Sequence, residues 1–61
     1  MNREQEFLEN IKRGNLARLE DLLHTDPSLI EVSTEQGFSG LMLAVYYNQQ
    51  HAIDFLANKV A

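Results

Sequence analysis

The apolar residues in the first half of the chain recur in the second half at one constant offset, the distance along the sequence from Phe7 to Leu41. We call this distance the repeat offset. In each half these residues follow helical spacing on both sides of a short break. A helix–turn–helix unit that recurs at such a period is typical of a stacked repeat array, an α-solenoid. We therefore predict an all-α single domain, residues 1–61, built from two stacked antiparallel helical hairpins at residues 2–33 and 34–61. The aligned pairs include Phe7 with Leu41, Ile11 with Val45, and Leu22 with Leu56.

The first unit carries its own helix start and stop signals. Asn2 is placed to cap a first helix that ends at Arg13. Gly14 permits the left-handed conformation that ends a helix, and Asn15 can cap the next one. Leucines then recur at helical spacing as far as His24. Because the turn between the first and second helices is so short, we expect these two helices to lie antiparallel.

The connection to the second unit begins at Pro27, because the residue before a proline avoids the helical region. Apolar and polar residues then alternate over residues 29–35, which is compatible with a short extended piece. Gln36 and Gly37 predict a turn. Ser39 can cap the helix that follows.

The second unit begins with an apolar segment, residues 41–47, whose periodicity alone cannot distinguish a helix from a strand. Its alignment with the first helix of the first unit decides for a helix. Asn48 can end this helix, because asparagine tolerates the left-handed conformation. From Ile53 to Val60 the apolar side chains again recur at helical spacing, which predicts a last helix with a broad apolar face.

Residues 37–45 read GFSGLMLAV, and residues 53–56 read IDFL. These segments resemble an ankyrin repeat, whose pattern at the same positions is G-x-T-P-L-H-x-A-A followed by V-x-L-L on the second helix. Ser39 keeps the capping hydroxyl of the family's threonine. The chain departs from the family pattern at Gly40, Met42 and Asn48, where the family has proline, histidine and glycine.

The resemblance covers nearly the whole chain, since residues 12–23 are similar to an N-terminal ankyrin repeat and residues 26–30 resemble the loop between repeats. It implies a non-catalytic module that binds a protein partner on a concave surface. Tyrosine suits such a surface, because it combines a large contact area with few rotors and a polar tip. The alternative is that Phe38 or one tyrosine packs beneath the loop. The residues that the resemblance implies at this surface are Lys12, Arg13, Glu35, Gln36, Phe38, Tyr46 and Tyr47.

A second group of apolar residues belongs to the second unit. Two units are fewer than the three or more that such arrays need to bury their faces, and terminal units need a polar outer side. We therefore expect this group to form a stacking face for a neighbouring unit, or a self-association surface. An alternative function follows, a truncated or self-assembling helical fragment that forms a homo-oligomer. The group consists of Leu43, Ala52, Phe55, Leu56 and Val60.

The charge balance argues against several classes of partner. The net charge is −4, with five Lys and Arg residues against nine Asp and Glu residues, so we expect neither nucleic acid nor an anionic membrane surface as a partner. The longest apolar run, residues 41–47, is too short to span a bilayer. The first residues are acidic and lack the apolar core of a signal peptide. We expect an intracellular, cytoplasmic protein.

The sequence contains no recognisable catalytic or metal-binding constellation. It has no cysteine, no Gly-rich phosphate loop and no HExxH motif. Glu4, Glu6 and Glu9 suit a solvated first helical turn, which the helix dipole favours. His24 and His51 each stand alone in the sequence. We therefore expect no catalysis, no metal and no cofactor.

Overall fold

The computed structural model describes residues 2–60, with only the backbone described at position 60. Within this range the chain forms α-helices joined by short turns and one 3₁₀ helix, so the predicted all-α fold class is confirmed. No helix in the described range has the length and apolarity needed to cross a lipid bilayer. The elements are α1 Arg3–Arg13, α2 Leu16–Thr25, the 3₁₀ helix Pro27–Glu31, α3 Gly40–Tyr46 and α4 Gln50–Val60.

The predicted caps hold the helix ends. Asn2 Oδ1 accepts a hydrogen bond of 2.7 Å from the backbone N–H of Gln5 at the start of α1. Asn15 caps α2 and Ser39 caps α3 in the same way. Each side-chain oxygen satisfies an N–H group that has no partner within the first turn of its helix.

The two hairpin turns have the same backbone geometry at positions that the repeat offset aligns. Gly14, with φ 70°, and Asn48, with φ 54°, both take the predicted left-handed conformation. Two backbone hydrogen bonds of 2.9 to 3.1 Å close each turn. In the first turn the N–H groups of Gly14 and Asn15 donate to Ile11 and Asn10; in the second, those of Asn48 and Gln49 donate to Val45 and Ala44.

The hydrophobic core lies between the two hairpins. Helix α1 packs against α2 and α3, and α3 packs against α4. The core is small, as expected for a chain of this length, which buries only about 60% of the surface that its unfolded form exposes. The fully or almost fully buried apolar residues are Phe7, Ile11, Leu19, Leu22, Leu23, Leu29, Leu43, Ala44, Ala52 and Leu56.

The prediction of an extended piece over residues 29–35 is wrong for its first half. Pro27 begins a 3₁₀ helix instead, and this turn brings Leu29 into the core with 1% of its surface exposed. Burial of that leucine favours the helical turn over the extended alternative, because an extended chain would carry it past the core. Within residues 2–60, extended pairing is limited to a single antiparallel bridge between Ser33 and Ser39.

A tight loop, residues 33–39, connects the two hairpins. The N–H of Gly37 donates to the carbonyl of Thr34 at 2.9 Å, which confirms the predicted turn. Gly37 has φ 89°, a conformation that glycine adopts without steric cost. Thr34 also fixes the next aromatic residue, because its N–H donates to the carbonyl of Phe38 at 2.8 Å and its hydroxyl accepts from the N–H of Phe38 at 3.1 Å.

Candidate functional site

Three aromatic side chains meet where the 33–39 loop passes the end of α3. The ring centroids of Phe38 and Tyr46 are 6.1 Å apart and the rings are tilted by 53°. The rings of Tyr46 and Tyr47 are 5.4 Å apart in an edge-to-face arrangement. Both geometries are ones that aromatic quadrupoles favour. The three rings therefore form a continuous aromatic surface.

Helix α3 positions the two tyrosines. Tyr46 is its last residue, and Tyr47 is the cap whose N–H donates to the carbonyl of Leu43 at 3.0 Å. Consecutive residues at a helix end point in different directions. Tyr46 contacts the ring of Phe38, and Tyr47 extends towards α1. Tyr46 is 72% exposed and Tyr47 43%, so both rings remain available to a ligand.

Lys12 supplies a positive charge beside this aromatic surface. Its Nζ lies 5.8 Å from the centroid of the Tyr47 ring, within the range of a cation–π interaction. No carboxylate of residues 2–60 forms a salt bridge with Lys12.

The side chains enclose a shallow aromatic groove of about 330 Å³. We use this name for the groove throughout. Its walls combine aromatic faces with amide, hydroxyl and ammonium groups, which is the composition of sites that bind apolar groups in a defined orientation. The groove is lined by Lys12, Thr34, Gln36, Phe38, Leu43, Tyr46 and Tyr47.

The structure brings together most, but not all, of the predicted partner-binding residues. Lys12, Gln36, Phe38, Tyr46 and Tyr47 share the aromatic groove. Arg13 and Glu35 do not line it; both side chains are exposed elsewhere. Arg13 follows Lys12 on a helix, so it points to another side of α1. Glu35 lies in the turn of the 33–39 loop, whose polar tip faces solvent.

Three of the five residues expected to form a stacking face or a self-association surface are buried within this chain. Leu43 is 4% exposed, and Ala52 and Leu56 are fully buried, because α3 and α4 turn these side chains towards α1, α2 and the 3₁₀ helix. Phe55 is half-buried, and the ammonium of Lys59 lies 5.4 Å from the centroid of its ring. The side chain of Val60 lies outside the described residues. The contact between two units within one chain uses most of the apolar surface assigned to self-association.

The exposed apolar surface lies on α3 instead. Met42 is 53% exposed and Val45 58% exposed, although both belong to the apolar segment of residues 41–47. Met42, Val45 and Tyr46 are spaced i, i+3 and i+4, so they share one side of the helix. We call Met42 and Val45 the open α3 face. The repeat offset aligns Met42 and Val45 with Leu8 and Ile11.

Ion pairs cluster on the first hairpin. Arg18 contacts Glu6 through two nitrogens and Asp21 through a third, and the hydrogen bond with Glu6 raises the pKa of the guanidinium above its ordinary value. The Ser28 hydroxyl donates to Asp26 at 2.6 Å and lowers the pKa of that carboxyl, and the nearby Arg3 acts in the same direction.

A second, wider groove of about 820 Å³ lies between α2, the 3₁₀ helix and the end of α4. Its rim carries Glu20, Asp21, His24 and Lys59. No group of three or more His, Asp or Glu side chains within the described residues is arranged to hold a metal ion. The wider groove lacks aromatic anchors, so the aromatic groove is the better candidate for recognition.

Comparisons of the chain with protein families, with curated proteins and with solved structures give no match.

Proposed function

We propose that this chain is a non-catalytic protein-interaction module of the ankyrin-repeat type, which binds a segment of a partner protein in the aromatic groove. The observation that carries the proposal is the continuous surface of Phe38, Tyr46 and Tyr47 with Lys12 beside it. Tyrosine is enriched among the residues that dominate binding energy at interfaces.

The repeat architecture supports the ankyrin type. Two helical hairpins recur at the repeat offset, with matching left-handed residues at Gly14 and Asn48. A loop with a tight turn at Gly37 precedes the second hairpin. The motif in residues 37–45 that resembles an ankyrin repeat coincides with the end of this loop and the beginning of α3.

The chemistry of the groove favours a particular kind of segment. Exposed ring faces bind apolar or proline side chains, and the Tyr46 and Tyr47 hydroxyls and the Gln36 amide hydrogen-bond with a peptide backbone. Lys12 attracts a carboxylate, since no acidic residue of the described chain neutralises it by a salt bridge. The proposed ligand is therefore an extended segment with an apolar residue next to an acidic one.

The test is selection from a random-peptide display library on the folded chain, followed by calorimetric titration of the enriched peptides. We expect Tyr46→Ala and Tyr47→Ala each to weaken binding by about 30-fold, which corresponds to the loss of about 2 kcal/mol at a hot spot. His24→Ala is the matched control, because His24 is exposed and lies in the wider groove.

Two results would overturn the proposal. One is that no peptide is enriched on a chain whose helical circular dichroism is intact. The other is that the enriched peptides bind the two tyrosine variants as tightly as they bind the wild type. Lys12→Gln tests whether Lys12 binds a carboxylate of the peptide. This variant should bind acidic peptides more weakly than the wild type does. It should bind the same peptides with Glu replaced by Gln as tightly as the wild type does.

A further inference from the structure

We propose that the open α3 face, Met42 and Val45, is a docking surface for a second copy of this chain, which gives a weak, closed two-fold dimer with α3 against α3. Neither residue lines the aromatic groove, although the adjoining Tyr46 does, so substitutions at Met42 or Val45 test this proposal separately from the peptide-binding function.

The internal repeat indicates that a helix covers these two positions. At the repeat offset, Met42 corresponds to Leu8 and Val45 to Ile11. Ile11 is fully buried because α3 lies against it; its Cδ1 is 3.0 Å from the place that a Cβ on Gly40 would occupy. In the first hairpin, therefore, a neighbouring helical unit covers this position. Within residues 2–60, Met42 and Val45 lack such cover, and both are more than half exposed.

The opposite face of the repeat is closed by polar residues. The second hairpin has small residues at Gly40, Ala44 and Ala52, all of which are buried, and Gly40 lies against Ile11 and Phe7 of the first hairpin. Their counterparts in the first hairpin, at the same offset, are Glu6, Asn10 and Arg18. Arg18 pairs with Glu6, and the Asn10 amide donates to the Glu6 carbonyl at 2.8 Å.

This asymmetry selects the geometry of self-association. Head-to-tail stacking would place the open α3 face of one copy on Glu6, Asn10 and Arg18 of the next, where desolvation of the ion pair opposes contact. A two-fold arrangement instead places one open α3 face on another. Helix α3, with the sequence GLMLAVY, carries no charged side chain, so two copies meet there without bringing like charges together, despite a net charge of −4 on each chain. A two-fold contact also closes on itself and does not form a filament.

The small area of the face favours a weak, transient contact. A standard stable interface buries about 800 Å² on each partner. Met42, Val45 and the adjoining Tyr46, on a helix of 7 residues, offer well under that area. We therefore expect a dissociation constant of roughly 0.1 to 1 mM, consistent with the affinity of small, transient contacts.

The experiment is sedimentation equilibrium of the full chain from about 10 µM to 2 mM, a range chosen to bracket that constant. The weight-average mass of the wild type should rise from 7.0 kDa towards twice that value and not exceed it. Val45→Glu should stay monomeric over the whole range, because it would place like charges in the two-fold contact. Since Val45 is 58% exposed, the variant should keep its helical circular dichroism.

Two controls separate this proposal from the proposed function. Tyr47→Ala should dimerise as the wild type does, because Tyr47 lies outside the open α3 face. Val45→Glu should bind the peptides selected on the aromatic groove with wild-type affinity. A wild type that is monomeric throughout, or a Val45→Glu chain that dimerises like the wild type, would overturn the dimer. A mass that keeps rising beyond two copies would overturn its closed two-fold form.

Discussion

The side-chain amide of Gln49 donates a hydrogen bond of 2.6 Å to the backbone carbonyl of Lys12. This carbonyl is one of the last four of α1, which have no partner within the helix. Gln49 belongs to the turn of the second hairpin, so the bond ties that turn to the end of the first hairpin's helix. It also holds the residue whose ammonium lies beside Tyr47 in the aromatic groove.

Replacement of Gln49 by alanine should lower the free energy of unfolding by about 1 kcal/mol, the usual net contribution of such a hydrogen bond. Urea denaturation followed by circular dichroism measures the change. The control is Gln50→Ala, because the exposed Gln50 makes only a long contact of 3.4 Å with Asp54. Equal losses for the two variants would show that the bond to Lys12 contributes nothing particular.

Gly14→Ala should lower the free energy of unfolding more than Gly37→Ala does, although both glycines have positive φ. A Cβ on Gly37 would meet no atom within 4 Å, so that variant carries only backbone strain of about 1 kcal/mol. A Cβ on Gly14 would lie 2.5 Å from the Gln49 side-chain oxygen. Gln49 can move away only by giving up its bond to Lys12, which brings the expected loss to about 2 kcal/mol.

A double-mutant cycle isolates this contact. In the Gln49→Ala background the added methyl group at position 14 no longer meets the amide, so the cost of Gly14→Ala should fall to that of Gly37→Ala. Additive free energies of unfolding would contradict the proposed coupling between the turn residue and the amide.

Leu56→Ala should destabilise the chain by about 2 to 4 kcal/mol, because it removes a fully buried side chain from a small core. Met42→Ala should change the stability of the monomer by less than about 0.5 kcal/mol, since exposed substitutions have small effects. Thermal unfolding at low micromolar concentration compares the two. A large effect of Met42→Ala in the monomer would mean that the open α3 face is covered within the chain.

Ser28→Ala should raise the pKa of Asp26 towards its ordinary value, because the Ser28 hydroxyl is the largest cause of its depression. Arg3→Ala should raise it as well. The folded chain prefers the ionised carboxylate, so this contribution to stability is present above about pH 4 and is lost as the pH falls through the lowered pKa. NMR titration of the Asp26 carboxyl carbon gives the pKa directly, and an unchanged value in Ser28→Ala would refute the assignment.

Much of the helical architecture could be predicted from short-range signals. Asn2, Asn15 and Ser39 each cap the helix that they precede, and Gly14 and Asn48 end helices in the left-handed conformation. These effects depend on hydrogen bonds and steric contacts within a few residues, so they can be predicted from the neighbouring residues in the sequence. The repeat offset resolved the ambiguous apolar segment at residues 41–47 as a helix.

The candidate site was predicted less completely. The resemblance implied that Phe38 and Tyr46 share one surface, whereas the absence of Arg13 and Glu35 from the groove lining depends on the direction in which each side chain leaves its backbone. Of the residues expected at a stacking or self-association surface, Leu43, Ala52 and Leu56 are buried within the chain. Periodicity identifies an apolar stripe, but it does not say which neighbouring element covers that stripe.

Local chemistry in the sequence was sufficient for the helices, their ends, the turn at Gly37 and the recurrence of the hairpin. The packing of one hairpin on the other decided the rest. It buried Leu56 and Ala52, drew Leu29 into a 3₁₀ turn, and left Met42 and Val45 exposed. The physical reason is that the hydrophobic effect is non-directional, so many different apolar residues could enter the core. Only the three-dimensional arrangement of all the helices decides which of them are buried.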